Sequence, residues 1–184
     1  ITDEMAESRG MTKRDQLDDP LIIEDINATV GFLTALTCVD SDRIGVTGFC
    51  MGGRVTWLAA ATNSTFKAAV PYYGGNILVP WGSASESPLA ATSGIKCPVL
   101  FHFGEIDENP SQDDMLILDK ELSANSIPHQ FYTYPGANHA FMNPASPARY
   151  QRAAAEMSWP RTLDFFDKHL GLTRAAGNDE PACN

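Results

Sequence analysis

The sequence lacks any run of eighteen or more apolar residues, so it predicts no membrane-spanning helix. Its polar start lacks the basic and then apolar pattern of a secretory signal peptide. Basic residues are few, since 13 Lys and Arg stand against 23 Asp and Glu, for a net charge of −10. Such a surface repels nucleic-acid phosphates and anionic lipids, so we expect neither a nucleic-acid nor a membrane partner.

Cysteine is also scarce, and the four cysteines form no CxxC pair: Cys38, Cys50, Cys97 and Cys183. This spacing disfavours a zinc knuckle and a disulfide scaffold, and it favours a reducing compartment, by default the cytoplasm. With 184 residues, of which 43% are apolar, the chain suits one globular domain with a sizeable core. Within residues 1–184 we expect 1–18 to be a loop or frayed segment and 173–184 to be a disordered tail.

The apolar spacing predicts strands that alternate with helices. Asp19 and Pro20 signal the start of a helix that runs to about Thr37. Later helices are predicted at 51–61, 112–125 and 147–170, the last interrupted near Pro160 and closed by Gly171, and strands at 43–48, 67–73, 98–103 and 129–134. This alternation implies an α/β fold with a mainly parallel sheet flanked by helices. The Gly-, Ser- and Pro-rich loop 74–96 is expected to overlie a cleft.

The sharpest local signal is the segment Gly48-Phe49-Cys50-Met51-Gly52-Gly53, between a predicted strand and a predicted helix. In such a turn the central residue is a nucleophile, exposed at the carboxyl edge of the sheet. The residues two before and two after it must be small because strand and helix nearly touch, and Gly48 and Gly52 meet this demand. The Met51 N–H, at a helix N-terminus, is expected to face a developing oxyanion. The alternative interpretation is a glycine-rich turn with a buried core cysteine.

Two further residues follow the ends of predicted strands. Asp107 comes just after the third strand and His139 lies in the loop after the fourth. Since parallel strands point their carboxyl ends to one edge, both side chains are expected to converge on Cys50, in the order nucleophile, acid, histidine. The predicted chemistry is a Cys50 thiolate that attacks an ester or lactone carbonyl, with His139 as base and Asp107 orienting the imidazole. Taken singly, Asp107 fits a turn residue and His139 a surface histidine.

Other titratable residues fit these roles less well. Glu105 and Glu108 flank Asp107 but lack its placement at a strand end. His102 lies inside the third strand and is interpreted as a hydrogen-bonded core residue. The aromatic residues Phe49, Tyr72, Tyr73, Trp81 and Phe141 predict a small, largely apolar pocket, although several also fit a plain hydrophobic core.

These motifs resemble those of the dienelactone hydrolase (carboxymethylenebutenolidase) family, which belongs to the α/β-hydrolases. The resemblance covers about residues 20–170 and rests on 48–53, 72–74, 104–107, 136–141 and 159–166. It implies hydrolysis of a small ester or lactone without a metal or an organic cofactor. A cysteine at the nucleophile position is uncommon among α/β-hydrolases, which makes the resemblance specific.

The sequence departs from the family pattern at two places. Family members that act on dienelactone carry an arginine four residues after the catalytic histidine, where it helps to hold the substrate carboxylate. Here that position is Asn143, with Arg149 and Arg152 nearby in sequence. The family also has several strands before the one that leads to the nucleophile, whereas only 49 residues precede Cys50 here and no convincing strand precedes the one at 43–48. We therefore expect the N-terminal strands of the fold to be missing from this chain, which leaves the strand before Cys50 with an open edge.

Three alternatives remain open from the sequence. A general short-chain carboxylesterase or thioesterase would use the same chemistry with a different pocket. A truncated, non-catalytic hydrolase-fold protein would bind small molecules or partners, although it would not need Cys50, Asp107 and His139 together. A thiol redox protein would be expected to have a resolving cysteine, and none is evident. The oligomeric state is expected to be a monomer or a homodimer.

Overall fold

The structure is a computed structural model, and it describes residues 16–171. The predicted frayed segment and disordered tail therefore lie almost entirely outside the described residues. In chain order the elements are α1 (Asp19–Ala35), β1 (Gly45–Phe49), α2 (Met51–Thr62), β2 (Ala68–Tyr72), a 3-10 helix (Pro88–Gly94), β3 (Val99–Gly104), α3 (Gln112–Ala124), β4 (His129–Tyr134) and α4 (Arg152–Leu170).

The four strands form one parallel sheet in the order β1-β2-β3-β4. Gly45 to Phe49 of β1 lie opposite Ala68 to Tyr72 of β2, and β3 pairs with β4 in the same parallel sense. Every residue of β2 and β3 is buried, as expected for central strands covered on both faces. The predicted α/β fold is thus confirmed, and all four carboxyl ends lie at one edge of the sheet.

Helices cover both faces of the sheet. On one face a core of Trp57, Phe101, Met115, Leu118 and Leu122 joins the sheet to α2 and α3. On the other face Val70, Leu100, Tyr134, Phe141 and Ala154 form a second cluster beneath α4. Burying two apolar faces in this way supplies the main driving force for the fold.

The start of α1 differs from the prediction by one residue. Asp18, and not Asp19, is the N-cap, and its side chain accepts a hydrogen bond from the Leu21 N–H. Asp19 is the first helical residue, and its buried carboxylate pairs with Arg54 of α2 instead. A buried guanidinium requires such a partner, which explains why Asp19 is drawn away from capping.

The last helix is shorter and more regular than predicted. It begins at Arg152 rather than near Pro147, and Pro160 lies inside it without an interruption. Proline removes one helical hydrogen bond, but the buried neighbours Ser158 and Thr162 hold this helix against the sheet on both sides of Pro160. The helix ends, as predicted, at Gly171, which takes a left-handed conformation with φ 63°.

The loop 74–96 contains the 3-10 helix, which packs against α2, and Thr92 is fully buried. Cys50 and Cys97 are free thiols, whereas Cys38 is disulfide-bonded. That the chain is not a disulfide scaffold stays a prediction. That residues 1–184 form a single domain stays a prediction, as does the cytoplasmic location.

Candidate active site

Cys50 occupies the tight turn between β1 and α2. Its φ is 58°, in the left-handed region that residues other than glycine rarely adopt. The Cys50 N–H donates to the Tyr72 carbonyl at 3.0 Å, and the Cys50 carbonyl accepts from the Gly53 N–H at 2.9 Å. These contacts fix a strained backbone that leaves Cys50 exposed at the carboxyl edge of the sheet.

Glycines allow the strand and the helix to approach each other at this turn. A Cβ added at Gly48 would clash with the Gly52 carbonyl, and one at Gly53 would clash with the Tyr72 carbonyl. At Gly52 itself nothing lies within 4 Å of the added atom. The expectation that Gly52 must be small is therefore wrong, because the space beside its Cα is open, and Gly53 is the second residue at which the approach is close.

The structure brings Cys50, His139 and Asp107 into one hydrogen-bonded line. The His139 Nε2 lies 2.9 Å from the Cys50 Sγ, and its Nδ1 lies 3.0 Å from an Asp107 carboxylate oxygen. The other Asp107 oxygen accepts the Asn109 N–H at 2.9 Å, and Asp107 is only 6% exposed. The imidazole is thus held by one ring nitrogen and faces the thiol with the other.

The electrostatics of this line favour an ion pair. The hydrogen bond with His139 lowers the pKa of Cys50 below its ordinary value of 9.0, although burial opposes this effect. Burial alone would lower the pKa of His139, but its hydrogen bonds to Asp107 and Cys50 outweigh burial and raise that pKa to about 9. Both shifts favour the thiolate and the imidazolium over the neutral pair, and a thiolate is the nucleophilic form of cysteine.

Met51 begins α2, so its backbone N–H has no acceptor within the helix. This N–H also lowers the pKa of Cys50, by less than His139 does. A helix N-terminus carries partial positive charge, which suits an anion that forms next to the sulfur. The geometry is compatible with the predicted oxyanion role of Met51.

Four of the predicted substrate residues are aromatic and lie around Cys50 and His139. Phe49 is 40% exposed and packs on Tyr72 with ring centroids 4.7 Å apart. The Tyr73 ring meets His139 edge-on at 5.1 Å, and the fully buried Phe141 lies 5.1 Å from Tyr73. Because Tyr72 and Phe141 have no exposed surface, they form the floor beneath the site, whereas Phe49 is open to solvent.

The other two predicted substrate residues lie in different settings. Trp81 stacks on the Arg54 guanidinium at 3.7 Å, beside the buried pair that Arg54 makes with Asp19. Asn143 lies in an exposed turn and accepts the Ala145 N–H at 3.0 Å. The structure gives both residues local structural partners, and substrate contact by any of the six residues stays a prediction.

Arg149 reaches the neighbourhood of the histidine, whereas Arg152 does not. A polar hollow of about 380 Å³ lies on the Asp107 side of His139 and is lined by Asp107, Glu108, Asn109, Asn138, His139 and Arg149. Arg152 pairs instead with Glu156 on the exposed face of α4 at 2.6 Å. Of the two arginines near Asn143, Arg149 is thus the one beside the site.

The sequence analysis did not identify the contact that Glu105 makes at this site, but it interpreted His102 correctly. The expectation that Glu105 lacks a placement at a strand end is wrong, because Glu105 directly follows β3. Its carboxylate accepts the N–H of Gly136, three residues before His139, at 2.9 Å. His102 is fully buried and hydrogen-bonded to Tyr134 and Thr162, as expected of a core histidine. Local sequence patterns could not predict the contact between Glu105 and Gly136, because the two residues are 31 positions apart.

Among residues 16–171, no three or more His, Cys, Asp or Glu residues cluster so as to hold a metal ion. No helix in that range has the length and apolar character needed to span a membrane. The absence of metals and cofactors stays a prediction.

A parallel sheet with a nucleophile on the strand-to-helix turn, and with acid and histidine on later loops, defines the α/β-hydrolase class. A sequence model of the dienelactone hydrolase family matches residues 1–170. The chain belongs to the dienelactone hydrolase family.

Individual relatives agree with this assignment. A carboxymethylenebutenolidase from Rhodococcus opacus is 35% identical over 168 residues, which are 90% of this chain and 64% of that protein. A relative from Methylorubrum extorquens is 31% identical over 154 residues, which are 84% of this chain and 53% of that protein. The crystal structure of a candidate dienelactone hydrolase from Klebsiella pneumoniae has a TM-score of 0.74 and 32% identity, covering 83% of this chain and 63% of that one. The chain therefore spans about half to two thirds of the length of these relatives.

Proposed function

We propose that this chain carries the catalytic residues of a hydrolase that cleaves small esters or lactones through a covalent thioester. The observation that carries the proposal is the line from Cys50 Sγ through His139 to Asp107, with contacts of 2.9 Å and 3.0 Å. Its order along the chain and its position at the carboxyl edge of the sheet support the same chemistry. Membership of the dienelactone hydrolase family supports the substrate class.

The first half of the reaction acylates Cys50. The thiolate attacks the carbonyl carbon, a carbon–sulfur bond forms, and the carbonyl oxygen becomes an oxyanion next to the Met51 N–H. As this intermediate collapses, the bond to the alcohol oxygen breaks and the His139 imidazolium gives its proton to the leaving alkoxide. Asp107 keeps the imidazole oriented and stabilises its charged form.

The second half hydrolyses the thioester. The now neutral His139 takes a proton from a water molecule, and the hydroxide attacks the same carbonyl carbon. Collapse of this second intermediate breaks the carbon–sulfur bond and releases the carboxylic acid. Cys50 returns as a thiolate beside a protonated His139, so no metal, oxidant or reductant enters the cycle.

The test is hydrolysis of short aryl esters by the chain, by its Cys50→Ala variant and by a sample treated with iodoacetamide. We expect both the substitution and the alkylation to abolish turnover, because the thiolate is the attacking group. Cys97 does not compete for the reagent, since it is 4% exposed and burial raises its pKa to about 11. Turnover that survives in the Cys50→Ala variant would contradict the proposal.

The alternative functions predict different results in this experiment and in two related ones, which use peroxide and a second type of substrate. A folded chain without turnover would favour the non-catalytic binding protein. Loss of the Cys50 thiol with peroxide, without ester turnover, would favour the redox protein. Comparing short-chain esters with a carboxylate-bearing lactone separates a general carboxylesterase from a dienelactone-type enzyme. Three further points stay predictions: a cytoplasmic location, a small-molecule substrate as partner, and a monomeric or homodimeric state.

A further inference from the structure

Two loops carry the histidine and the acid of the site, and their backbones touch. The Glu105 N–H donates to the Tyr134 carbonyl and the Ile106 N–H donates to the Ala137 carbonyl, each at 3.0 Å. A Cβ at Gly104 would clash with the Ala137 carbonyl, so glycine is required for this approach. These contacts hold residues 104–106 of one loop in a fixed position relative to residues 134–137 of the other.

The Glu105 side chain spans the same contact. Its carboxylate accepts the Gly136 N–H at 2.9 Å. Gly136 has φ 65°, so this residue sits at the bend from which the chain continues to His139. The backbone of Glu105 is itself held by Gln112, whose side-chain amide donates to the Glu105 carbonyl at 3.0 Å. A charged acceptor makes a stronger bond to an N–H than a neutral one.

We propose that Glu105 is a positioning residue, which holds the loop of His139 against the loop of Asp107. The inference rests on the proposed function and deepens it, because the reaction needs His139 within hydrogen-bonding distance of both partners. Displacing a catalytic group by about 1 Å costs about 100-fold in rate. Two backbone bonds remain when the side chain is removed, so the expected loss is smaller.

Removing the Glu105 side chain takes away both a charge and a positioning contact, and these two losses shift the pKa of Cys50 in opposite directions. The direction of the shift therefore tests the inference. A negative charge disfavours a thiolate, so removing the Glu105 charge by itself would lower the pKa of the Cys50 thiol or leave it unchanged. Displacing His139 would weaken its contact with the Cys50 sulfur, which is the largest cause that lowers the pKa of Cys50. Loss of positioning therefore raises the pKa of Cys50.

The experiment compares Glu105→Ala, Glu105→Gln and Glu108→Ala with the unchanged chain. Glutamine keeps an acceptor oxygen for the Gly136 N–H but loses the charge. Glu108 is an exposed carboxylate three residues along the same loop, so it is the matched control for charge. The two readouts are the pH dependence of Cys50 alkylation by iodoacetamide and the steady-state kinetics with a short ester. Circular dichroism checks that each variant is folded.

We expect Glu105→Ala to move the alkylation midpoint to higher pH and to lower kcat about tenfold with little change in KM. Glu105→Gln is expected to retain most of the activity, and Glu108→Ala is expected to behave as the unchanged chain. If Glu105→Ala instead matches Glu108→Ala in both readouts, the positioning role is wrong and the proposed function stands. If the unchanged chain shows an ordinary thiol and no turnover, both the role and the proposed function are overturned.

Discussion

At the scale of single residues, the account depends on the charge state of Cys50 and His139. The pKa of Cys50 is lowered from 9.0, so the thiolate forms at a pH below the range of a free thiol. The pKa of His139 is raised to about 9, so the imidazolium persists through neutral pH and loses its proton only as the pH approaches that value. In the free enzyme both charged forms are therefore present together between the two pKa values.

This overlap predicts a bell-shaped pH dependence of kcat/KM, with a rising limb below pH 9.0 and a falling limb near pH 9. An alkyl ester shows the falling limb because its leaving alkoxide needs the His139 proton. A p-nitrophenyl ester is the control, since its leaving group departs without a proton and the falling limb flattens. Identical profiles for the two esters would contradict the role of His139 as the acid.

Sequence reasoning predicted Cys50, Asp107 and His139 because each follows the end of a predicted parallel strand, and the structure brings them together. It did not find Glu105 or the pair of Arg54 with Asp19. Both contacts join residues more than thirty positions apart, and no local pattern of spacing encodes them.

At the scale of the secondary-structure elements, the approach of β1 to α2 determines where Cys50 lies. We predict that Gly48→Ala destabilises the chain by about 3 kcal/mol or more and abolishes activity, because the added methyl group meets backbone rather than a movable side chain. Gly52→Ala is the matched control and is expected to leave the fold intact, since the space there is open. Thermal unfolding of both variants tests this, and equal losses would contradict it.

A buried ion pair joins α1, α2 and the loop after β2. Arg54 is fully buried, contacts both Asp19 carboxylate oxygens and donates to the carbonyls of Asn76 and Val79. Arg54→Met removes the guanidinium and leaves the Asp19 charge buried without its cation. The structure predicts a loss of about 3–5 kcal/mol in the free energy of unfolding.

The control for this substitution is Arg43→Met, because Arg43 and Asp40 form a pair whose side chains are 49% and 48% exposed. Exposed pairs contribute about 0–1 kcal/mol, so its effect is expected to be small. Urea unfolding measures both variants, and similar midpoints would contradict the structural role of Arg54.

The elements also show where local patterns are reliable. The apolar spacing predicted all four strands, and their alternation with helices predicted the parallel pairing. Two of the strands, β2 and β3, are buried throughout, as their mostly apolar composition indicates. The prediction was wrong for α4, because a proline such as Pro160 usually indicates the interruption of a helix. In the structure, packing on both sides of Pro160 keeps the helix continuous. Tertiary contacts thus override a local signal that is otherwise dependable.

At the scale of the whole molecule, β1 is at one edge of the sheet that residues 16–171 form, and it borders an apolar groove. The groove has a volume of about 610 Å³ and is lined by apolar residues of α1, β1 and α2, among them Ile26, Val30, Leu33, Val46, Met51 and Val55. An open strand edge beside an apolar surface promotes association.

The groove predicts that the chain binds the hydrophobic dye anilinonaphthalene sulfonate in its native state. Val55→Lys places a charge in the groove and is expected to lower the dye fluorescence. Ile117→Lys is the control, because Ile117 is 43% exposed on α3 and does not line the groove. Equal fluorescence in both variants, or none in the unchanged chain, would contradict an accessible groove.

The central claim is that Cys50 becomes acylated during turnover, and the most direct measurement is rapid-quench mass spectrometry. The chain is mixed with an aryl acetate, quenched in acid within milliseconds and digested. The account predicts that the peptide containing Cys50 gains the mass of one acetyl group and loses it as hydrolysis proceeds. Turnover without an acylated Cys50 peptide, or acylation at another residue, would contradict the account.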